Sequence, residues 1–292
     1  MRLSELGEDG VLAELERRGL VEGIAGDGAE LGDGLAVTQD VLLEGVHFRL
    51  EWTSWRDLGY KAAAVNLSDL AALGAEPRAL LVSFAAPGDT EAARVVELYE
   101  GLNEPGVPIV GGDTTRAETL TLVVTALGRS ERVPGRGGAR AGDVLVVTGP
   151  LGGSAGGLYA LRHGLADHEA LVERHRRPPL RLVEGRRLAA TAHALMDLSD
   201  GIATDVARMA ARSGVRIVVD VDRLPLAEGL PDADEPFWTQ GEDYELLAAV
   251  APDDPLAAEL PVVGRCETGE GVELRRGGEP LDARGWDPFA RP

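Results

Sequence analysis

The chain has 292 residues, with 29 Lys+Arg against 49 Asp+Glu and a net charge of −20, which opposes a general affinity for nucleic acid or anionic membranes. A single cysteine, Cys266, excludes an intrachain disulfide and a multi-cysteine metal site, and the five histidines form no HxxxH or HExxH pair. No apolar run reaches the roughly 18 residues a membrane span needs, and the N-terminal MRLSELGEDGVLAELERRG is charged and periodic with no signal-peptide core, so a cytoplasmic protein of two domains is expected.

In chain order, Val11, Leu12, Leu15 and Leu20 suggest a short amphipathic helix. The glycine-rich loop GIAGDGAELGDG leads into a strand, LAVTQD. Leu58, Ala62, Val65 and Leu73 share one face of a helix predicted over 57–74, stopped at Gly74. LLVSFAA reads as a strand, TEAARVVELYEGL as a helix, VPIV as a short strand running into GGDTT, and TLTLVVTALG as a long β-branched strand. The Gly-, Pro- and Arg-rich stretch RVPGRGGARAG marks a domain boundary, placing one domain at 1–137 and another at 138–292. Beyond it come a strand (DVLVVTG), a glycine-rich turn into a helix (GPLGGSAGGLYALRHG), a strand-to-helix turn (LMDLSDG, then GIATDVARMAARSG), and the strands RIVVDV and YELLAAV. Helices and strands mix in both halves, so the fold class is α/β or α+β.

Six carboxylates stand in recurring contexts. Asp27 is in a glycine loop, Asp40 ends a strand, Asp69 lies in a helix, Asp113 follows a strand and two glycines, and Asp197 and Asp200 flank a strand-to-helix turn. Strand ends and glycine loops are where α/β proteins hold ligands, and hard oxygen donors suit Mg²⁺. Singly, each has a plain alternative: Asp27 and Asp113 as turn residues, Asp200 as a helix cap, Asp69 facing water. GPLGGSAGGL could cradle a phosphate at a helix N-terminus, although it lacks the Lys-Ser/Thr ending of a P-loop; tight helix-on-sheet packing explains it equally well. His47, in DVLLEGVHF, is a lone histidine, and Glu242 and Asp243 in GEDYEL precede an apolar strand.

Taken together and in this order, AGDGAEL, TQDVLLEGVHF, DLGYKAAAVNLSDLAALGAEP, IVGGDTT, RGGARAGDVLVVTGPLGGSAGGL, MDLSDGIATDV, GEDYEL and the C-terminal RGWDPF resemble the thiamine-monophosphate kinases over essentially the whole chain. The wider superfamily is that of aminoimidazole ribonucleotide synthetase. The resemblance implies an ATP-dependent kinase that phosphorylates thiamine monophosphate with the help of several Mg²⁺ ions. It implies metal positions at Asp27, Thr38, Gln39, Asp40, Asp69, Asp113, Asp197 and Asp200, with Asp69, Asp197 and Asp200 central to catalysis. ATP contacts are implied for Gly112, Asp113, Arg136 and Ser199, and substrate contacts for His47, Glu242 and Trp286. It also implies a homodimer in which strands of two N-terminal α+β domains complete one barrel, with an α/β C-terminal domain covering the ATP cleft. Two departures stand out: Gly26-Asp27 where the family often has two acidic residues, and Gln39 where it often has Ser or Thr. Selenophosphate synthetase, of the same superfamily, would need a reactive cysteine near the N-terminus, and none precedes Cys266.

Overall fold

The computed structural model describes residues 3–21 and 26–282. In chain order the elements are α1 (Leu3–Arg17), β1 (Ala29–Glu30), β2 (Leu35–Leu43), α2 (Trp55–Ala72), β3 (Glu76–Ala86), α3 (Ala92–Asn103), β4 (Ile109–Arg116) and β5 (Thr121–Arg129). They continue with β6 (Val144–Val147), α4 (Gly153–His163), α5 (Glu169–Arg176), α6 (Leu182–Thr191), β7 (Ala194–Asp197), α7 (Ile202–Ser213), β8 (Arg216–Asp220), β9 (Leu246–Val250), α8 (Pro255–Glu259), β10 (Val262–Glu267), β11 (Gly271–Arg276) and β12 (Glu279–Leu281). No helix among the described residues is long and apolar enough to cross a membrane.

The first sheet runs β1-β2-β5-β3-β4, antiparallel except for the parallel β3–β4 pair. Strand alternation sorts its two faces. Ala36, Leu42, Leu80, Val82, Phe84, Leu122, Val124 and Ala126 pack beneath α2 and α3. The opposite face is open and carries Val41, Leu81 and Val110, the last 63% exposed. Among the described residues of one chain this sheet does not close into a barrel.

The second sheet runs β12-β11-β8-β10-β6-β9-β7 and is covered on both faces. Leu145, Val147, Leu247 and Ala249 pack with Ile202, Val206 and Met209 of α7. Val146, Leu246, Ala248 and Val250 pack with Leu188 and Ala189 of α6 and with Ala71 and Ala72 of α2. Burial on both sides explains why β9 reads as an unbroken apolar run.

Helix α2 therefore touches both halves, and here the structure corrects the one-faced helix read from the sequence: almost every residue from Leu58 to Ala72 is buried. Ser54 caps its start by accepting from the Asp57 N–H, and the chain turns away at Gly74. Small residues let its neighbours come close. A Cβ on Gly59 would lie 1.9 Å from the Leu98 carbonyl oxygen of α3, and one on Gly185 of α6 would lie 2.2 Å from the Ala71 carbonyl oxygen. The strands β10 to β12 and the helices α5, α6 and α8 carry no clear periodic pattern in the sequence. VVGRCE is short and mixes polar residues with a glycine, and α5 is mostly charged.

Candidate active site

Three carboxylates from distant elements meet where α2 passes between the sheets. Asp27 comes from the loop before β1, Asp69 from the last turns of α2 and Asp197 from the end of β7, and one oxygen of each lies within 4.8 Å of the others. Asp27 and Asp197 are buried. Partners are few. The Thr38 hydroxyl donates to Asp69 Oδ2 at 2.5 Å, and the Ser68 hydroxyl to Asp197 Oδ2 at 2.7 Å. Arg136 donates to Asp27 Oδ1 through Nη2 at 2.6 Å and Nε at 3.1 Å. Asp27 Oδ2 and Asp197 Oδ1 are buried and, among the described residues, receive no hydrogen bond. Buried acceptors in native proteins are nearly always satisfied, so two orphaned oxygens among crowded carboxylates call for a cation. Burial first, then the charges of Asp40, Asp197 and Asp27, push Asp69 well above the ordinary carboxylate range. Burial and then Asp27 do the same to Asp197. The donor set is all oxygen, which suits Mg²⁺.

Other sequence-derived positions fall around this centre. Thr38 and Asp40 lie on the helix-covered side of β2. The Asp40 N–H donates to Asn66 Oδ1, and Asn66, buried in α2, donates in turn to the Ala62 carbonyl. Gln39 lies between them on the opposite face, where its side chain donates to Thr125 Oγ1 at 3.0 Å. Strand alternation fixes that outcome, so any part Gln39 has in the cluster falls to its main chain. Gly112 and Asp113 are exposed on the edge strand β4, outside the three-carboxylate group, and Asp113 Oδ1 accepts from the Thr114 N–H at 2.9 Å. Trp286 lies outside the described residues.

Asp69, half-buried, turns to the carboxylate centre and not onto an open helix surface, and Asp200 does not cap α7, whose N-cap Gly201 has no side-chain bond. Instead Arg208 donates to the Asp200 carboxylate, while the buried Asp205 accepts from the Asp200 N–H at 3.2 Å. Burial, then Asp200, raises Asp205 to about 8. Sequence reasoning missed Asp205, although it falls in phase with Ile202, Val206 and Met209 on the buried side of α7.

The glycine-rich turn before α4 is not open to a phosphate. Asp243 Oδ2 accepts from the Gly152 N–H at 2.7 Å, and Oδ1 from the Ser154 N–H at 3.3 Å, so the anion at this helix start belongs to the protein. Its neighbour Glu245, fully buried, accepts from Thr148 Oγ1 at 2.6 Å, from Arg181 through two bonds of 2.7 Å, and from Arg174.

Between these anchors the chain at Gly241–Tyr244 is bent into an unusual backbone path, with φ of 58° at Glu242 and 51° at Tyr244. The Glu242 and Tyr244 N–H groups bond to the carbonyls of Ser199 and Leu198, so the GEDYEL turn is pinned onto the DLSDG turn. Glu242 thereby comes beside His47, His175 and Lys61. His47 Nδ1 accepts from the Leu43 N–H at 3.0 Å, and burial lowers its pKa. His175 Nδ1 is 2.9 Å from the Ser154 hydroxyl and 3.4 Å from Glu242 Oε2. Both contacts use one ring nitrogen, whereas a nucleophilic triad uses two, and Ser154 is buried. The pair is therefore not a serine nucleophile.

Comparison with known proteins matches residues 24–130 to the AIR synthase related protein, N-terminal domain, and residues 140–266 to the AIR synthase related protein, C-terminal domain. The chain is 35% identical over 311 residues to the thiamine-monophosphate kinase of Aquifex aeolicus, spanning 99% of this chain and 100% of that one. It is 36% identical over 285 residues to the thiamine-monophosphate kinase of Escherichia coli, spanning 88% and 87%. Among solved structures, AaThiL complexed with AMPPCP and TMP superposes with a TM-score of 0.90 at 34% identity over 98% of each chain. The hydrogenase maturation protein HypE of E. coli, at 21% identity and a TM-score of 0.70, shares the fold.

Proposed function

Because the chain belongs to the AIR synthase related proteins and, among them, to the thiamine-monophosphate kinases, we propose that it phosphorylates thiamine monophosphate with ATP at the three-carboxylate centre, giving thiamine diphosphate and ADP. The observation that carries the placement is the pair of buried, unpartnered oxygens, Asp27 Oδ2 and Asp197 Oδ1, beside Asp69. Asp27, Asp69 and Asp197 would hold Mg²⁺, with Thr38, Asp40 and Asp200 around them and Gln39 contributing main chain, and Asp113, on β4, would join as a further ligand. Bound there, magnesium would neutralise phosphate charge and polarise the oxygens of the transferring group.

The protein's own task is to bring two anions together in line. The acceptor phosphate has a second pKa of about 6, so its oxygen is already ionised near neutral pH and needs no strong base. Direct transfer without a phosphoenzyme follows, in keeping with the buried, single-nitrogen Ser154–His175 contact. Arg136, 15% exposed and bonded to Asp27, is placed to exchange that carboxylate for ATP phosphate, and Gly112 and Ser199 are the further proposed ATP contacts. His47, Glu242 and Trp286 take the organic part of the acceptor. We divide the chain at 137/138, within a stretch from 130 to 143 that holds no helix or strand. A cytoplasmic location fits a protein that uses ATP as co-substrate.

The open aliphatic face of the first sheet and its exposed edge strand β4 fit a homodimer that buries them; sedimentation of the active protein as a monomer at micromolar concentration would contradict it. The activity is tested by following thiamine diphosphate formation from ATP and thiamine monophosphate. Product forms with Mg²⁺, stops in EDTA and returns when Mg²⁺ is restored. Undiminished turnover after exhaustive chelation would overturn the metal assignment.

A further inference from the structure

A lysine inside a helix that is buried on nearly every side needs a reason. Lys61 lies in α2 among Leu58, Ala62, Ala63, Ala64 and Val65, with its side chain 5% exposed. An ammonium withdrawn from water is tolerated only with a well-placed counter-charge. That counter-charge comes from the other half of the molecule: Nζ is 3.0 Å from Glu242 Oε1 and 3.1 Å from Oε2. The Glu242 side chain is 27% exposed, so the pair is buried on the lysine side and open on the carboxylate side.

Among the described residues, the charged or titratable groups that act on Glu242 are Lys61 from α2, His175 from α5, His47 from the loop after β2 and Tyr244 two residues on. Burial, then Lys61, pushes His175 down to about 3, and burial lowers His47. Both imidazoles are therefore largely neutral near pH 7, and Lys61 is the cation that matters. Burial, the largest single influence, would raise the Glu242 carboxyl, but Lys61, with smaller help from His175 and His47, brings the group below its ordinary value. The backbone adds a second constraint. Glu242 is held at φ 58°, with its N–H fixed to Ser199 and its neighbour Asp243 fixed to the start of α4. Strained backbone that surrounding structure over-determines is a recurrent property of functional sites. A plain latch between the halves would need no open carboxylate edge.

We propose that Lys61 is a positioning residue for the acceptor site: it holds the Glu242 carboxylate ionised and oriented so that its open edge meets the fixed positive charge of the acceptor's thiazolium ring. This rests on the acceptor being thiamine monophosphate. Lys61 then acts on the ring end of the acceptor and leaves the phosphoryl-transfer end to the carboxylate centre.

The test measures product formation by wild type, Lys61→Met, Glu242→Gln and the double variant, with thiamine as a competitive inhibitor that has the ring but no phosphate. Lys61→Met raises KM for thiamine monophosphate at least about tenfold, while KM for ATP and kcat change little. The Ki of thiamine rises by the same factor. In the Glu242→Gln background the same substitution adds almost nothing, because the two side chains act as one unit. The double variant removes both charges together, so it stays folded and informative even if Lys61→Met alone, leaving a carboxylate unpaired, does not. A KM in Lys61→Met within about twofold of wild type, multiplicative effects in the double variant, or a KM that rises without the thiamine Ki would each overturn the proposal. A wild type that fails to phosphorylate thiamine monophosphate would instead remove the acceptor reading itself.

Discussion

Two groups of acids withdrawn from solvent differ in what completes them. Asp243 and Glu245 are satisfied by the protein: two backbone N–H groups for the first, two arginines and a threonine for the second. Asp27, Asp69 and Asp197 share a few partners and keep two buried oxygens with none. Burying a carboxylate costs several kcal/mol whichever way it is arranged. Where internal donors meet that cost, the acid is architecture; where they do not, the missing charge comes from outside. Counting partners separates the two groups when burial does not.

The sharpest break between them comes from neutralising one member of each. Glu245→Gln leaves the half-buried Arg174 and Arg181 beside an uncharged amide, and we expect a loss of about 3 kcal/mol of stability, the low end for a broken buried pair, with turnover of the folded molecules nearly normal. Asp197→Asn should do the reverse, lowering turnover at least about 100-fold while the melting temperature in EDTA holds or rises, because a repelling charge has gone. Denaturation in EDTA and product assays on both variants decide it, and similar behaviour by the two would dissolve the distinction.

A smaller effect probes the satisfied group alone. Burial first, partly offset by its backbone bonds, raises Asp243 from 3.8 to about 6. Because the folded value lies above the unfolded one, the stability this residue contributes is fully present below 3.8 and is lost as pH rises through 6. Relative to Asp243→Asn, wild type should therefore lose about 3 kcal/mol over that interval. Parallel stability curves for the two proteins between pH 4 and 7 would show that the carboxylate does not titrate there.

What the sequence revealed depended on whether a partner was local. The β-branched run of β5, the capped α2 and the apolar β9 follow from short-range pattern, and the six carboxylates from their recurrence beside glycines and strand ends. Asp243 could not be read as the anion of the glycine turn, since it lies 91 residues beyond Gly152. Nor could Lys61 be paired with Glu242, 181 residues away. In both cases the only local trace was a charged residue beside or within an apolar segment. Asp69 was open to a solvent-facing reading because a helix wheel shows one apolar face, while Gly59 and Gly185 admit two further neighbours that no periodicity records.

The placement of α2 carries a last consequence, for how the chain comes apart. Its Leu58, Ala62, Val65 and Leu67 belong to the core under the first sheet, while its Ala71 and Ala72 belong to the core against the second. One continuous helix cannot be melted for one sheet and kept for the other without opening backbone bonds between them. Helices lose order cooperatively once a turn is broken, so the two halves share a single unfolding unit despite having separate sheets. A fragment carrying only the first half would present the alanine end of α2 to water, and heat should remove both sheets in one transition.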